Sequence, residues 1–411
     1  MPGSRMGFGL MQFLLKYQYG LLDLSLWGYV LTTLLFIHVT MIGITLYYHR
    51  DQAHRSVALH PALRHFFRFW LWINTGASTK EWVAVHRKHH AMCEREGDPH
   101  SPRLFGLKKV LLEGAELYQA EANKPETREK YGRGTPDDWL ERKVYRLRYS
   151  GIFVLVLINL VLFGAPGIIM IACQLITMPL LAAGVINGLC HARGYRNFET
   201  DDVSTNLWPI GILVAGEELH NNHHAFPSSA KFSVRPWEVD MGWLHLKVFS
   251  ALGLAKIKRV VPVPELDQES SVPDLGTVRA IIVNRMHVLR HYTQSVTIPV
   301  LRRDLNSLGW GTDSTIVKQA KKLLMWQPGM LDESSKQRLV EILEDHPSVR
   351  TVLEFRDELK GLWEGAHSSN ENLLADLRSW CRKAESSSIK GLQEFAAYLQ
   401  SFRAVLGPEI T

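Results

Sequence analysis

The sequence predicts an all-α protein: a multi-span helical membrane protein with a histidine-rich metal-binding cap, followed by a soluble helical C-terminal region. Three observations carry this. From Leu24 to Tyr48 no residue is charged, a run long enough to cross about 30 Å of hydrocarbon with some tilt. A second apolar stretch, Gly151 to Cys190, is interrupted by Gly164, Ala165, Pro166 and Gly167, turn punctuation that makes it a hairpin and returns the chain to the side it left. The histidines gather just outside these stretches, in H-x-x-H-H patterns at His86, His89, His90 and at His220, His223, His224. With 18 histidines in 411 residues, one such pattern is expected by chance only ~0.03 times.

Composition bounds the body that carries them. A content of 46% hydrophobic residues with 12 Trp excludes a disordered chain. The net charge of +6 and pI near 9.0 suit nucleic acid, an anionic membrane surface or an acidic ligand, and do not choose among them. Cys93, Cys173, Cys190 and Cys381 have no C-x-x-C spacing, which argues against a disulfide framework and a thiolate zinc site and favours a reducing compartment.

In chain order, residues 1–23 lack a signal-peptide pattern and read as an interfacial lead-in. Leu63 to Thr79 is aromatic but carries Arg64 and Arg68 at helical spacing, so it reads as a helix lying along the membrane. Ala91 to Arg148 is polar, with loops at Asp98–Pro102 and Lys130–Asp138, and reads as a soluble cap. The predicted organisation is a lead-in at 1–23, a membrane domain at 24–263, a polar linker at 264–275 and a helical region at 276–411.

On a helix, His220, His223 and His224 stand at i, i+3 and i+4, so three imidazoles crowd one face. His86, His89 and His90 repeat the spacing, and His49 and His54 add a looser pair where the first apolar run ends. Asn187 and His191 share a helix face at the exit of the hairpin. Neutral imidazoles suit a borderline transition metal, iron or zinc, and nine are enough for two ions. Catalytic zinc takes about three protein ligands, a poor fit here. Glu217 and His220 form one E-x-x-H pair, whereas soluble di-iron bundles need two with further carboxylates. Glu217, Glu218 and Glu81 therefore read as residues that orient imidazoles through their second nitrogens.

The boxes H-x4-H, H-x-x-H-H, N-x3-H and H-N-x-H-H, in this order, resemble those of the membrane fatty acyl desaturases. EWVAVHRKHH, DPHSP, NGLCHARGYRNFE and GEELHNNHHAFPSSAKFS resemble the bacterial acyl-CoA delta-9 branch, over about Leu24 to Val263. The resemblance implies a cytosolic di-iron cap: His49, His54, His86, His89, His90, His191, His220, His223 and His224 as iron ligands, and Asn187 holding a metal-bound water. It further implies O2-dependent removal of two hydrogens from a saturated fatty acyl-CoA near carbons nine and ten, in a bacterial inner membrane with the site facing the cytoplasm. No haem-binding HPGG is found, since His60 and Pro61 lead into Ala62. Electrons are then expected from a separate reductase with a ferredoxin-, rubredoxin- or cytochrome b5-type carrier. One span rather than two precedes the first box, and Ala84 and Val85 stand where animal relatives carry charge. An unactivated methylene must be held in a buried tunnel, for which Phe67, Trp70 and Trp82 offer apolar wall, with Arg103, Lys108 and Lys109 as partners for an anionic headgroup.

Past Pro264, WCRKAESSSIKGLQEFAAYLQSFRAV is similar to the C-terminal part of bacterial insertion-sequence transposases; with no acidic triad, the region reads as a helical appendage. His287 and His291 lack a third ligand and read as solvated or core positions. Three rivals stand beside the desaturase: a related di-iron hydroxylase, which differs only in product; a histidine-rich metal transporter, which would place its ligands inside several spans; and a DNA-binding or scaffolding protein, which leaves the boxes unexplained, so no nucleic acid is expected.

Overall fold

A computed structural model describes residues 18–267, 272–307, 333–364 and 369–403. The first 17 residues of the lead-in and residues 268–271 of the linker lie outside them. The described chain is mainly helical and divides into two compact units: residues 1–196 with 202–261, and residues 197–201 with 262–411.

In the first unit, α1 (Leu26–Gly43) begins at Ser25, whose side chain accepts from the Gly28 N–H. The helix does not stop at the first charged residue. It continues through Ile44–Ala53 in wide turns, with Arg50 and Asp51 buried. Both charges are matched inside the fold: Arg50 donates to Asp240 at 2.9 Å and to the Ala230 carbonyl at 2.8 Å, and Arg64 clasps Asp51 with two bonds of 2.7 Å.

Helix α2 (Pro61–Thr75) opens on Pro61, whose missing N–H costs nothing in a first turn, and ends on Gly76 at φ 67°, a left-handed position that favours glycine. Its arginines, which in the sequence suggest a helix lying on the membrane, are both paired within the protein, Arg68 with Asp138 at 2.7 Å. Helix α3 (Thr79–Met92) is followed by four short cap helices, α4 (Pro102–Phe105), α5 (Leu107–Leu112), α6 (Gly114–Ala122) and α7 (Pro125–Tyr131).

The apolar hairpin is α8 (Arg148–Met178), broken at Gly164 (φ 62°, ψ −139°). Its arms meet closely, since a Cβ on Gly167 would stand 2.5 Å from the Asn159 carbonyl oxygen. Among the described residues, two helical segments, Leu26–Ala53 and Arg148–His191, are long and apolar enough to cross a membrane. Leu26, Trp27, Phe153 and Ile169 are each more than two-thirds exposed on them, apolar surface that water disfavours. Short helices α9 (His220–Ala225) and α10 (Met241–Ala251) complete the unit, with strand Val57–Leu59 paired antiparallel to Ala255–Ile257.

The second unit packs α11 (Leu275–Val283), α12 (Arg285–Tyr292), α13 (Ile298–Ser307), α14 (Glu333–Asp345), α15 (Pro347–Glu364), α16 (Asn370–Glu385) and α17 (Lys390–Gln400). Its core includes Tyr292, Trp380 and Phe395. The stretch read as a linker belongs to this unit, since Glu265–Leu266 pairs with Phe402–Arg403. So does Asn197–Asp201, where Glu199 accepts from Thr293 and faces Arg356 at 3.7 Å. His287 bonds the Pro262 carbonyl at 3.1 Å and His291 packs on Tyr398.

Candidate metal centre

Helix α3 starts where the sequence supplies a capping box: Ser78 Oγ accepts from the Glu81 N–H at 3.3 Å, and a Glu81 carboxylate oxygen accepts from the Ser78 N–H at 3.1 Å. That start aims His86, His89 and His90 from one face. The wide turns of Ile44–Ala53 explain the looser first box. With the His54 N–H bonded to the His49 carbonyl five residues back, His49 and His54 are neighbours on successive turns.

The nine histidines converge as two groups, His49, His54, His86, His90 and His223 in one and His89, His191, His220 and His224 in the other, with ligand atoms of each within 4.8 Å of one another. The H-x-x-H-H pattern acquires a geometric sense here. In α3 the i, i+4 pair His86 and His90 serves the first group and the middle His89 crosses to the second; in α9 the i, i+4 pair His220 and His224 serves the second and His223 crosses to the first.

Four carboxylates set the ring orientations. The Nδ1 of His49 bonds Glu217 at 2.6 Å, that of His89 bonds Asp98 at 3.0 Å, that of His191 bonds Glu94 at 2.8 Å and that of His224 bonds Asp202 at 2.7 Å. A proton held on Nδ1 leaves the Nε2 lone pair facing inward. There Nε2 meets Nε2: His49 with His223 at 3.0 Å, His54 with His86 at 2.8 Å, His90 with His223 at 2.9 Å, and His220 with His191 at 3.0 Å and His224 at 3.1 Å. The inward Nε2 atoms of His49, His191 and His224, whose Nδ1 protons the carboxylates hold, are bare lone pairs, and a cation among the crowded nitrogens supplies what such acceptors lack. The residues therefore fit two borderline metal ions. Burial, reinforced by the neighbouring imidazoles, holds His54, His86, His90, His220 and His223 well below the ordinary histidine range, so they stay neutral as ligands must. Burial takes His224 to about 4 despite Asp202. For His89 burial also acts downward, but Asp98 and its acidic neighbours outweigh it and raise the value.

Against this centre lies a cavity of about 290 Å³, walled by His49, His86, His100 and His220 at one side and by apolar residues such as Ile44, Val85 and Met178 elsewhere. Trp82 lines it and stacks on the His86 ring, with centroids 4.9 Å apart. Asn187 is part of the same wall.

Other residues singled out in the sequence stand elsewhere. Glu81 caps α3 and faces Arg148 at 3.4 Å instead of bracing an imidazole. Glu218 accepts from the backbone N–H groups of Val214 and Gly216, stapling the turn before α9. Phe67 is buried in the core between helices, and Trp70 donates to Thr40 at 2.9 Å. The cavity wall includes neither of these, nor Arg103, Lys108 and Lys109, which are exposed on α4 and α5. An aromatic-rich helix beside a box fixes proximity in sequence, but α2 turns those rings toward α1 and α8. Sequence reasoning missed Glu94, Asp98 and Asp202; the acidic residue opening DPHSP, eight residues beyond the second box, was the available signal for Asp98.

Comparison with known proteins agrees with this geometry. Residues 24–247 match the model of the fatty acid desaturase family, and residues 273–406 match a transposase family model. Delta-9 acyl-lipid desaturase 2 of Arabidopsis thaliana is 32% identical over 235 residues, covering 56% of this chain and 74% of the relative. The sn-1 stearoyl-lipid 9-desaturase of Synechocystis sp. is 32% identical over 234 residues, 56% and 71% of the two chains. An acyl-CoA 5-desaturase of Anemone leveillei is 32% identical over 228 residues, 52% and 66%. A family match over more than half of the chain, on the segment that carries both histidine groups, shows that this protein belongs to the fatty acid desaturases, oxidoreductases of lipid metabolism.

Proposed function

We propose that the chain is a multi-pass, di-iron delta-9 desaturase of saturated fatty acyl chains, carried as coenzyme A thioesters, with its metal centre on the cytoplasmic side of a bacterial inner membrane. The observation that carries this reading is the junction of the two imidazole groups with one apolar cavity. His49, His54, His86, His90 and His223 would hold one iron and His89, His191, His220 and His224 the other, with Asn187 beside them. When bound, the irons supply the oxidising power: O2, two electrons and two protons take two hydrogens from adjacent methylenes, leaving a double bond and two waters. The chain's own residues do the rest. Glu217, Asp98, Glu94 and Asp202 hold the imidazoles oriented, and the cavity holds an unactivated methylene against them and keeps water away.

The delta-9 position is supported by the names of two relatives that act there on lipid-bound chains. Those names also favour a second reading, in which the acyl group is presented on a glycerolipid. Electrons would come from a separate reductase with a ferredoxin-, rubredoxin- or cytochrome b5-type carrier. The membrane-embedded protein, purified with iron and supplied with such a donor, is to be given palmitoyl- and stearoyl-coenzyme A, and the products analysed by mass spectrometry. A product two mass units lighter with its double bond at carbon nine supports the proposal; a product sixteen units heavier makes the enzyme a hydroxylase. Conversion of phospholipid chains without turnover of thioesters moves the substrate to the second reading.

A further inference from the structure

Besides His220 of the metal end, whose Nδ1 is also orphaned, three residues of the cavity wall carry buried polar atoms without a hydrogen-bond partner: Asn74 through Oδ1, Tyr118 through its hydroxyl, and His100 through both ring nitrogens. Orphaned buried groups are costly to leave unpaired, and their gathering on one apolar cavity points to a ligand that satisfies them. His100 lies against His89, with ring centroids 4.5 Å apart, and belongs to the metal end. Asn74 and Tyr118 do not. Asn74 stands in the last turn of α2, two residues before Gly76, whose Cα lies against Arg148, since a Cβ there would stand 2.7 Å from Arg148 Cγ. Tyr118 stands on α6 beside Gln119, which lines the wall yet is exposed, so the cavity opens to the surface on this side.

The two orphans are complementary in kind. The Asn74 Nδ2 already donates to the Trp70 carbonyl at 2.9 Å, which leaves Oδ1 as a pure acceptor, only 2% of the residue being exposed. The Tyr118 hydroxyl is the free donor. An acyl chain entering from this side brings a carbonyl at its head, and the groups beyond that carbonyl differ between carriers. In a pantetheine thioester an amide N–H comes two methylenes beyond the sulfur. A glycerolipid ester offers only further acceptors at that distance, which would leave Asn74 Oδ1 unsatisfied.

We infer that Tyr118 and Asn74 form a two-point clamp for an acyl pantetheine thioester, the Tyr118 hydroxyl donating to the thioester carbonyl and Asn74 Oδ1 accepting from the first pantetheine amide. This rests on the acyl desaturase reading and narrows its substrate to carriers with a pantetheine arm, coenzyme A or acyl carrier protein. Both are positioning residues, acting on the head of the chain and setting which methylene lies at the histidines.

The test is equilibrium binding to the purified full chain, which does not require turnover. Palmitoyl-coenzyme A, its S-hexadecyl thioether analogue without the carbonyl, palmitoyl-acyl carrier protein and dipalmitoyl phosphatidylglycerol are compared on wild type, Tyr118→Phe and Asn74→Leu. Loss of one hydrogen bond is about tenfold in affinity. Tyr118→Phe is expected to weaken both palmitoyl thioesters about tenfold and leave the thioether unchanged. Asn74→Leu is expected to weaken the thioesters and the thioether alike, with phospholipid binding unmoved. The two carriers tell the source apart by their affinities for wild type. Equal affinity of wild type and Tyr118→Phe for palmitoyl-coenzyme A, or an equal loss toward the thioether or the phospholipid, overturns the clamp. Should Asn74→Leu fail to fold, the thioester-against-thioether comparison on Tyr118→Phe decides alone, since that change removes only an unpartnered hydroxyl. Wild type that binds the thioester with this pattern yet forms no double bond refutes the desaturase reading and leaves the clamp standing.

Discussion

Replacing Glu217 by Gln tests whether the two imidazole groups are separate metal sites. The Glu217 carboxylate accepts from His49 Nδ1 at 2.6 Å and from Thr45 at 2.6 Å, with 6% of its side chain exposed, so solvent screens neither bond. A neutral amide can still accept from His49 but loses the charge assistance, a difference of about 1–2 kcal/mol. That corresponds to roughly five- to thirtyfold in the affinity of the ion that His49 would hold, within the range for residues that brace metal-bound histidines. His49 belongs to the five-histidine group alone. In a chelator-competition titration with ferrous or cobaltous ion, Glu217→Gln should weaken one of two sites and spare the other. Asp202→Asn, which acts through His224, should weaken the complementary site. A variant in which both affinities fall together, or neither moves, would refute the partition.

The same geometry yields four further expected outcomes. Trp82→Ala removes the ring stacked on His86 and Tyr48 and should cost about 3 kcal/mol in thermal unfolding, with Trp82→Phe recovering most of it. Protons compete for the inward lone pairs, and because burial holds the imidazoles of His54, His86, His90, His220 and His223 well below their ordinary 6.5, metal should stay bound at neutral pH and be released only on acidification; release on raising the pH from 6 to 8 would contradict this. Ala183→Phe pushes a ring into the cavity wall and should shift the preferred acyl chain to shorter lengths, read by competition between chain lengths. A chain ended at Ser271 keeps both histidine groups but removes Thr293 and Arg356, the partners of Glu199; it should still enter membranes and make some product, with weaker metal binding at the group that includes His224, because Asp202 directly follows the released segment. Unchanged affinity there would show that residues 197–201 hold their place without the rest of the second unit.

What the sequence determined alone was whatever depends on local spacing. The imidazoles at i, i+3 and i+4 crowd one face of any helix, so both H-x-x-H-H boxes were legible as imidazole clusters, and an uncharged run from Leu24 to Tyr48 is a length irrespective of context. Gly164 announced the break between the arms of α8 because few other residues adopt its backbone angles. Only tertiary structure decided pairings between distant segments. Helix periodicity sets His89 and His90 about 100° apart on either side of His86, and which group each joins comes from where α3 meets α9 and the segment carrying His191. Glu94, Asp98 and Asp202 look like ordinary loop acids until the fold sets them against ring nitrogens. Arg50 reads as the end of a span, yet it is buried because Asp240 arrives from 190 residues away to neutralise it. The cavity likewise takes its wall from α6 and α8 and not from the aromatic face of α2. A single helix fixes the direction of its own side chains; what those side chains meet is set by the packing of the others, which no local pattern encodes.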